Sequence, residues 1–239
     1  MRLYGKRPVL ERLRAAPESI RALYLDKETD AAEIVRAAKG ASCRFLSVSK
    51  SDLARRAGQV HAQGVLAEVE EFRYTPLEDL LRKPEPRPSL FLLDRVTDPQ
   101  NLGAILRTAA CLGGIGLILP RHDSAEVNET VLRVACGGEN YVPTALVTNL
   151  AAAAQAAKEA GYWIAGAVSD GGEPIDQARW PWPLAVVLGC EGTGIRPGLK
   201  KHLELTLTLP MPGAALSFNV ATAAALIAYE ITRRRRGNL

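Results

Sequence analysis

Three stretches of the sequence place polar side chains and glycines directly after apolar runs. The stretches are LDRVTDPQNLGAILRTAACLG (93–113), LAVVLGCEGTGIRPG (184–198) and LTLPMPGAALSFNVATAAALIAYEI (207–231), and their polar residues of interest are Asn101, Arg107, Glu191, Ser217 and Asn219. Arginine, amide, hydroxyl and carboxylate groups can all form hydrogen bonds to a polar ligand. These stretches are therefore the candidate functional segments.

The elements around these segments alternate between strand and helix. The predicted strands are 90–93, 116–119, 142–144, 163–167, 184–188 and 205–209, and the predicted helices lie near 101–112, 126–135, 149–160 and 218–234. This alternation favours an α/β fold with a parallel sheet covered on both faces. Because ligands bind where parallel strands end, the three segments should meet at one edge. From the pattern alone we expect an ordinary doubly wound sheet, since knotted chains are very rare.

Each polar residue also has a simpler interpretation. Asn101, Glu191 and Ser217 are all suited to capping a helix, and glycine-rich turns after strands are common. Their joint position at one predicted sheet edge favours a ligand site instead. The sequence contains no G-x-G-x-x-G, no G-x-x-x-x-G-K-[ST] and no evident Ser-His-Asp set, which argues against a dinucleotide oxidoreductase, a phosphate-loop enzyme and a serine hydrolase.

The first 70 residues predict a separate small α/β unit. Its predicted helices are GKRPVLERLRAAP, DAAEIVRAAKGA (closed by Gly40) and KSDLARRAG (begun by Ser51), and its predicted strands are IRALYLD, CRFLSVS and GVLAEVEEF. The proline-rich stretch RKPEPRPS (82–89) marks a boundary. We therefore predict an N-terminal domain over residues 1–72, a linker over 73–88 and a C-terminal domain over 89–239.

Composition limits the other possibilities. The chain has 239 residues and a net charge of +4, which permits a polyanionic partner without requiring one. The four cysteines and three histidines are scattered, so neither a metal site nor a disulfide framework is expected. No apolar run is long enough to span a membrane and no signal peptide is apparent, so a cytoplasmic protein is expected.

The cluster Arg233–Arg236 is either a solvated tail that complements the helix dipole or an RNA contact.

The three segments resemble a known family. NLGAILRTA, LGCEGTG and LPMPG…LSFNVATA are similar to motifs 1, 2 and 3 of the SpoU (TrmH-type) branch of the SPOUT methyltransferases. The first 70 residues, with YGKRPVLERL and VHAQGVLAEV, resemble the substrate-binding domain of bacterial 23S rRNA guanosine-2′-O-methyltransferases. The resemblance implies methyl transfer from S-adenosylmethionine to a ribose 2′-hydroxyl of RNA. It also implies a deep trefoil knot in the catalytic domain and a homodimer.

The resemblance also implies roles for individual residues. It places Arg107 at the ribose, and Asn101, Glu191, Ser217 and Asn219 as its supporting polar residues. The residues implied to contact the cofactor are Gly189, Gly192, Leu209, Met211 and Phe218. The family mechanism often makes the arginine a general base. Because arginine stays protonated, we favour a clamp that grips the phosphate and stabilises the developing alkoxide, with water as another route for the proton.

Some details of the resemblance leave alternatives open. The third motif usually has S-L-N-V-S, whereas Phe218 and Ala221 stand in this sequence at the second and fifth positions. The basic residues Arg2, Lys6, Arg7, Arg12 and Arg14 could follow RNA phosphates or form a solvated helix face. A tRNA 2′-O-ribose methyltransferase is an alternative substrate assignment. A non-catalytic RNA-binding factor of ribosome assembly is an alternative from another functional class.

Overall fold

The computed structural model describes residues 1–58, 62–82, 87–190, 192–213 and 216–237. Within these residues the chain forms a four-stranded and a seven-stranded sheet. The elements of the first sheet and its helices are β1 (Arg2–Tyr4), α1 (Lys6–Ala15), β2 (Ile20–Asp26), α2 (Ala32–Gly40), β3 (Phe45–Val48), α3 (Lys50–Ala57) and β4 (Val65–Val69). The strand order is β1-β4-β2-β3, with β2 and β3 parallel and the other pairs antiparallel.

The start of α3 differs from the prediction that Ser51 begins it. Ser49 has an extended backbone, and its Oγ accepts a hydrogen bond from the Asp52 amide at 3.2 Å. This is the geometry of a helix N-cap. Ser51 already lies inside the helix, so Ser49 is the capping residue.

The predicted linker contains ordered structure. A short helix, α4 (Leu77–Leu81), lies within residues 73–88. The Thr75 amide donates to the Thr144 carbonyl at 2.8 Å, and Leu80 is 1 % exposed. This helix has only five residues, too few for a helical pattern to stand out in the sequence. The described part of this segment therefore packs on the second sheet.

The second sheet is parallel throughout its described strands. They are β5 (Ser89–Asp94), β6 (Ile115–Pro120), β7 (Thr144–Val147), β8 (Trp163–Val168), β9 (Glu173–Pro174), β10 (Leu184–Gly189) and β11 (Leu205–Thr208). Their order is β7-β6-β5-β10-β8-β11-β9, and each neighbouring pair is parallel. The ends of β5, β10 and β11 therefore lie at the same edge, as predicted.

Helices cover both faces of this sheet. They are α5 (Pro99–Leu112), α6 (Glu129–Ala135), α7 (Leu150–Glu159), α8 (Pro197–Lys200) and α9 (Val220–Arg235). Alternate residues of β5 belong to different core clusters. Phe91 and Leu93 pack with residues of α5, α6 and α9, whereas Leu90 and Leu92 pack with residues of α4, α7 and α8. A strand buried on both sides explains the uninterrupted apolar run that predicted it.

Two predicted boundaries shift in this region. The strand predicted over 142–144 begins at Thr144, where pairing with β6 starts at Leu117. The helix predicted over 126–135 begins at Glu129, because Asn128 caps it by accepting from the Val131 amide at 3.1 Å. The polar N-cap residue therefore locates the start of the helix more accurately than the spacing of apolar residues does.

The two sheets share a continuous core and a buried ion pair. Leu3, Val9 and Leu13 belong to the same apolar cluster as the helices on one face of the large sheet. Arg12, on α1, donates to Glu139 Oε1 at 3.1 Å, and the Glu139 side chain is fully buried. Burial raises the pKa of Glu139 despite the nearby guanidinium.

The basic residues of the N-terminal unit do not form a uniform phosphate-binding face. Arg2 binds both carboxylate oxygens of Glu129, and Arg14 pairs with two glutamates of its own unit. Arg12 is buried, so the solvated-face interpretation is wrong for it. The exposed members of the predicted set are Lys6, Arg7 and Arg14, and of these Arg14 is held in the two glutamate pairs.

The cluster Arg233–Arg236 is also more than a solvated tail. The Arg234 guanidinium donates to carbonyl oxygens in the segment 175–178. Arg235 donates to both carbonyls of the 113–114 turn. These bonds fix the end of α9 to two loops, so the tail interpretation is wrong for Arg234 and Arg235.

Candidate active site

A cavity of about 390 Å³ lies at the carboxyl edge of the large sheet, beside the ends of β8, β10 and β11. Its lining includes every residue expected to contact a cofactor, and also Ser217. These residues are Gly189, Gly192, Leu209, Met211, Phe218 and Ser217. The sheet edge predicted from the three segments is thus a concave site.

Gly189 is required by the loop that follows β10. A Cβ atom at Gly189 would lie 2.4 Å from the carbonyl carbon of Gly194. The loop returns onto its own strand through a bridge between Cys190 and Gly194. Gly192 and Gly194 have φ values of 85° and 63°, a region that glycine occupies without strain. The glycines therefore allow a tight loop whose backbone lines the cavity.

Apolar side chains form much of the remaining wall. Leu188 and Leu207 are buried at the end of their strands, and both line the cavity. Phe218 lies at the opening and is 41 % exposed. An apolar wall with an exposed aromatic ring suits a flat heterocyclic group.

The cavity is also lined by polar residues that were not predicted from the sequence, among them Asp170 and Lys200. Asp170 follows β8 in the stretch VSDGG, which is the same pattern of a strand followed by polar residues and glycine. That signal could have identified it. The order of the strands was also needed, because β8 lies between β10 and β11.

Asn219 stands between the cavity-lining residues Phe218 and Val220, and it contacts Asn101. Asn219 Nδ2 donates to Asn101 Oδ1 at 3.0 Å. The cap of α5 is Asp98, which accepts from the Gln100 amide at 2.8 Å. The cap of α9 is Asn219 itself, which accepts from the Ala221 amide at 2.8 Å. Helix capping by Asn101 or Ser217 is therefore wrong, and Ser217 faces the cavity.

Arg107 lies two turns into α5, and its side chain is exposed. Its Nη1 lies 3.6 Å from the Cys136 sulfur. Its backbone packs against Gly138, where a Cβ would lie 2.9 Å from the Arg107 Cα. Arg107 is not among the residues lining the cavity. The described structure thus brings together the cofactor residues, Ser217 and the asparagine pair, but not Arg107.

Glu191 lies outside the residues that the structure describes. The predicted role of its carboxylate therefore remains a prediction from the sequence.

The end of β5 holds the second half of the β10 loop. Asp94 is fully buried and accepts from the Arg196 amide at 2.8 Å and from Arg196 Nε at 2.6 Å. The next residue, Arg95, donates to Thr193 Oγ1 at 2.9 Å and to the Gly194 carbonyl at 3.0 Å. The end of β5 and the loop that follows β10 are therefore joined by one hydrogen-bond network beside the cavity.

The described residues contain neither a candidate metal site nor a candidate membrane-spanning helix. Over the described ranges, no group of three or more His, Cys, Asp or Glu side chains could hold a metal ion. No helix there has the length and apolar character needed to cross a membrane.

Family models match both parts of the chain. Residues 88–229 match the model described as the SpoU rRNA Methylase family. Residues 2–75 match the model described as RNA 2′-O ribose methyltransferase substrate binding. The first match alone covers more than half of the 239 residues.

Individual proteins agree with these matches. The chain is 35 % identical over 236 residues to the 23S rRNA (guanosine-2′-O-)-methyltransferase RlmB of Nitrosomonas europaea, covering 97 % of this chain and 91 % of that protein. It is 39 % identical over 176 residues to an uncharacterized tRNA/rRNA methyltransferase of Synechocystis, covering 72 % of this chain and 46 % of that protein.

A solved structure extends the likeness to the fold. The SpoU methyltransferase AviRb from Streptomyces viridochromogenes, solved in complex with AdoMet, superposes with a TM-score of 0.80 at 25 % identity. The superposition covers 100 % of this chain and 91 % of that one. Sequence models, relatives and fold agree, and the chain belongs to the SpoU family of rRNA methylases.

Proposed function

We propose that the chain transfers a methyl group from S-adenosylmethionine to the ribose 2′-hydroxyl of a guanosine in 23S rRNA. The observation that carries this proposal is the cavity at the carboxyl edge, where segments from motifs 2 and 3 meet beside the asparagine pair of motifs 1 and 3. The named relatives that methylate 23S rRNA support the substrate assignment.

The cavity fits the cofactor in size and chemistry. Its volume of about 390 Å³ lies within the range typical of small-molecule sites. The backbone of Gly189 and Gly192 would hold polar groups of the cofactor. Leu209, Met211 and Phe218 would contact its apolar and aromatic parts. The AdoMet complex of a structural relative supports this assignment.

When bound, S-adenosylmethionine would supply a methyl group to the 2′-oxygen, with S-adenosylhomocysteine as the leaving group and the hydroxyl proton passing to water. Arg107 would grip the adjacent phosphate through its planar guanidinium and stabilise the charge that develops on the oxygen. Asn101 and Asn219 would fix α5, and with it Arg107, relative to the cavity. Glu191 would orient the loop or a neighbouring cation.

A homodimer would complete the site. Arg107 is exposed and outside the lining of its own cavity, so a second copy is a way to surround it. An apolar surface on α9, with Leu226 39 % and Tyr229 62 % exposed, is suited to such a contact.

We also propose that the catalytic part contains the trefoil knot of the family. The placement of β10 between β5 and β8 supports a non-sequential path.

The domain assignment is part of the same proposal. Residues 1–72 would bind RNA, residues 73–88 would connect the two parts, and residues 89–239 would carry out catalysis. The match of residues 2–75 to a substrate-binding model supports this division. We assign the reaction to the cytoplasm, because the relatives named as 23S rRNA methyltransferases come from bacteria, whose rRNA is made and modified there.

The test is transfer of labelled methyl groups from S-adenosylmethionine to rRNA and tRNA from cells that lack the gene, followed by mapping of the modified site. We expect label on one guanosine ribose of 23S rRNA, and its loss with Arg107→Ala. Label on tRNA alone would overturn the substrate assignment. Binding of neither cofactor nor RNA would overturn the enzymatic function.

A further inference from the structure

Arg95 has an unusual backbone conformation for its residue type. It follows β5 directly and has a φ of 60°. This left-handed region is strained for most residues with a side chain, and asparagine and aspartate tolerate it better than arginine does. Such strain persists only where surrounding contacts hold it, and it often marks a functional position.

The contacts that hold Arg95 come from the cavity loop. One guanidinium nitrogen, Nη2, reaches both the Thr193 hydroxyl at 2.9 Å and the Gly194 carbonyl at 3.0 Å. Thr193 and Gly194 line the cavity. The Arg95 side chain is 27 % exposed. Its bond to the Gly194 carbonyl is partly buried, whereas its bond to the exposed Thr193 is open to solvent.

Arg95 complements the adjacent contact of Asp94. Asp94 fixes the loop at Arg196, whereas Arg95 fixes it at positions 193 and 194. Bonds within the loop, such as the Gly194 amide to the Cys190 carbonyl at 3.0 Å, close the turn without attaching it to β5. Among the residues that the structure describes, Arg95 thus ties positions 193 and 194 of the loop to the end of the neighbouring strand.

We propose that Arg95 is a positioning residue for the cofactor, acting by holding Thr193 and Gly194 in the conformation that lines the cavity. The inference rests on the proposed function, in which this cavity binds S-adenosylmethionine. A loop that is already ordered loses less conformational freedom when a ligand binds. Arg95 therefore raises affinity without touching the ligand, and the loop contacts offset its backbone strain.

The test compares Arg95→Gly with Asp123→Gly in the full-length protein. Asp123 also has a positive φ, 56°, but it follows β6 and is not among the cavity-lining residues. Both changes replace a residue in the left-handed region with glycine, and the strain relieved at Asp123 is smaller because aspartate tolerates this region better. By calorimetry with S-adenosylmethionine, we expect Arg95→Gly to raise the Kd about tenfold, the size of one or two lost charge-assisted hydrogen bonds. We expect Asp123→Gly to leave the Kd unchanged.

Thermal unfolding without ligand distinguishes a role of Arg95 in positioning the cavity loop from a role in the stability of the whole protein. Relief of strain in Arg95→Gly offsets the lost hydrogen bonds, so the melting midpoint should stay close to that of the wild type. In a Thr193→Val background, Arg95→Gly should raise the Kd by a smaller factor, because one acceptor is already absent.

Three outcomes would overturn the inference. A wild-type Kd in Arg95→Gly would do so while leaving the proposed function intact. So would an equal rise in Kd in the Arg95 and Asp123 variants, which would indicate a general effect. Failure of the wild-type protein itself to bind S-adenosylmethionine would overturn the proposed function and this inference together.

Discussion

Asn219 donates from Nδ2 to Asn101 Oδ1 at 3.0 Å, while its own Oδ1 caps α9 by accepting from the Ala221 amide. One side chain therefore begins α9 and ties it to the first turn of α5. Because α5 carries Arg107 and Phe218 directly precedes Asn219, this bond links the arginine's helix to the cavity wall.

The two asparagines should differ in their effects on stability. Asn219→Ala removes both the α9 cap and the bond to Asn101. We therefore expect the free energy of unfolding to fall by about 1 kcal/mol, and the rate of methyl transfer to fall as well. Asn101→Ala removes the link and leaves the α9 cap, so activity should fall with a smaller loss of stability. Urea denaturation and single-turnover assays measure both effects. An equal loss of stability in the two variants would contradict this division of roles.

The capping of α9 illustrates what sequence can and cannot predict. Ser217 and Asn219 both suit an N-cap by residue type, and no sequence rule chooses between them. In the structure Asn219 is the cap, and it also contacts Asn101, which is 118 residues away in the sequence. The capping preferences of individual residues carry no information about a contact between residues so far apart in the sequence.

The strands were predicted more accurately. For β5 and β10, predicted as 90–93 and 184–188, the structure gives 89–94 and 184–189, because both are buried on both faces and therefore uninterrupted in apolar character. The cavity role of Asp170 required the strand order, which the sequence pattern does not specify.

Gly189 should tolerate no side chain. In Gly189→Ala the new Cβ would meet the Gly194 backbone at 2.4 Å, so the loop must move. We expect cofactor affinity to fall at least about tenfold, since overpacking of this kind costs about 1–3 kcal/mol. Isothermal titration with S-adenosylmethionine measures the effect.

Gly198→Ala is the matched control for that substitution. A Cβ at Gly198 would have no neighbour within 4 Å, so binding should match that of the wild type. Wild-type affinity in Gly189→Ala would mean that the loop does not form the binding surface.

Arg107→Lys tests how the guanidinium acts. Lysine keeps the charge but lacks the planar pair of donors that grips a phosphate. We expect turnover to fall by about 10²-fold, comparable to the loss of one transition-state donor. Stability should be unchanged, because the side chain is exposed. Near-wild-type single-turnover rates in Arg107→Lys would exclude a clamp that depends on two donors.

Glu230 should make the end of α9 sensitive to acid. Hydrogen bonds from Arg233, and then from Arg234, hold the pKa of the Glu230 carboxyl below its ordinary value. A lowered pKa in the folded state stabilises the protein above the ordinary pKa, and this stabilisation is lost as the pH falls through the folded-state value. Glu230→Gln should therefore be less stable than the wild type near neutral pH.

The difference in unfolding free energy between wild type and Glu230→Gln should shrink as the pH falls below the ordinary carboxyl pKa. Denaturant titrations across that range measure it. A difference that stays constant with pH would show that the ion pairs with Arg233 and Arg234 do not contribute.

The pairing of β5 with β10 has a consequence for how the protein is made. Ser89 pairs with Leu184, so two adjacent central strands are separated by about 95 residues of chain. Contacts of such long range form slowly, and during translation one edge of β5 has no partner until β10 has been synthesised. Unpaired strand edges invite association with other chains. The cavity edge is thus completed late in folding, and a nascent chain lacks part of the cavity lining until residue Ala223 has been synthesised.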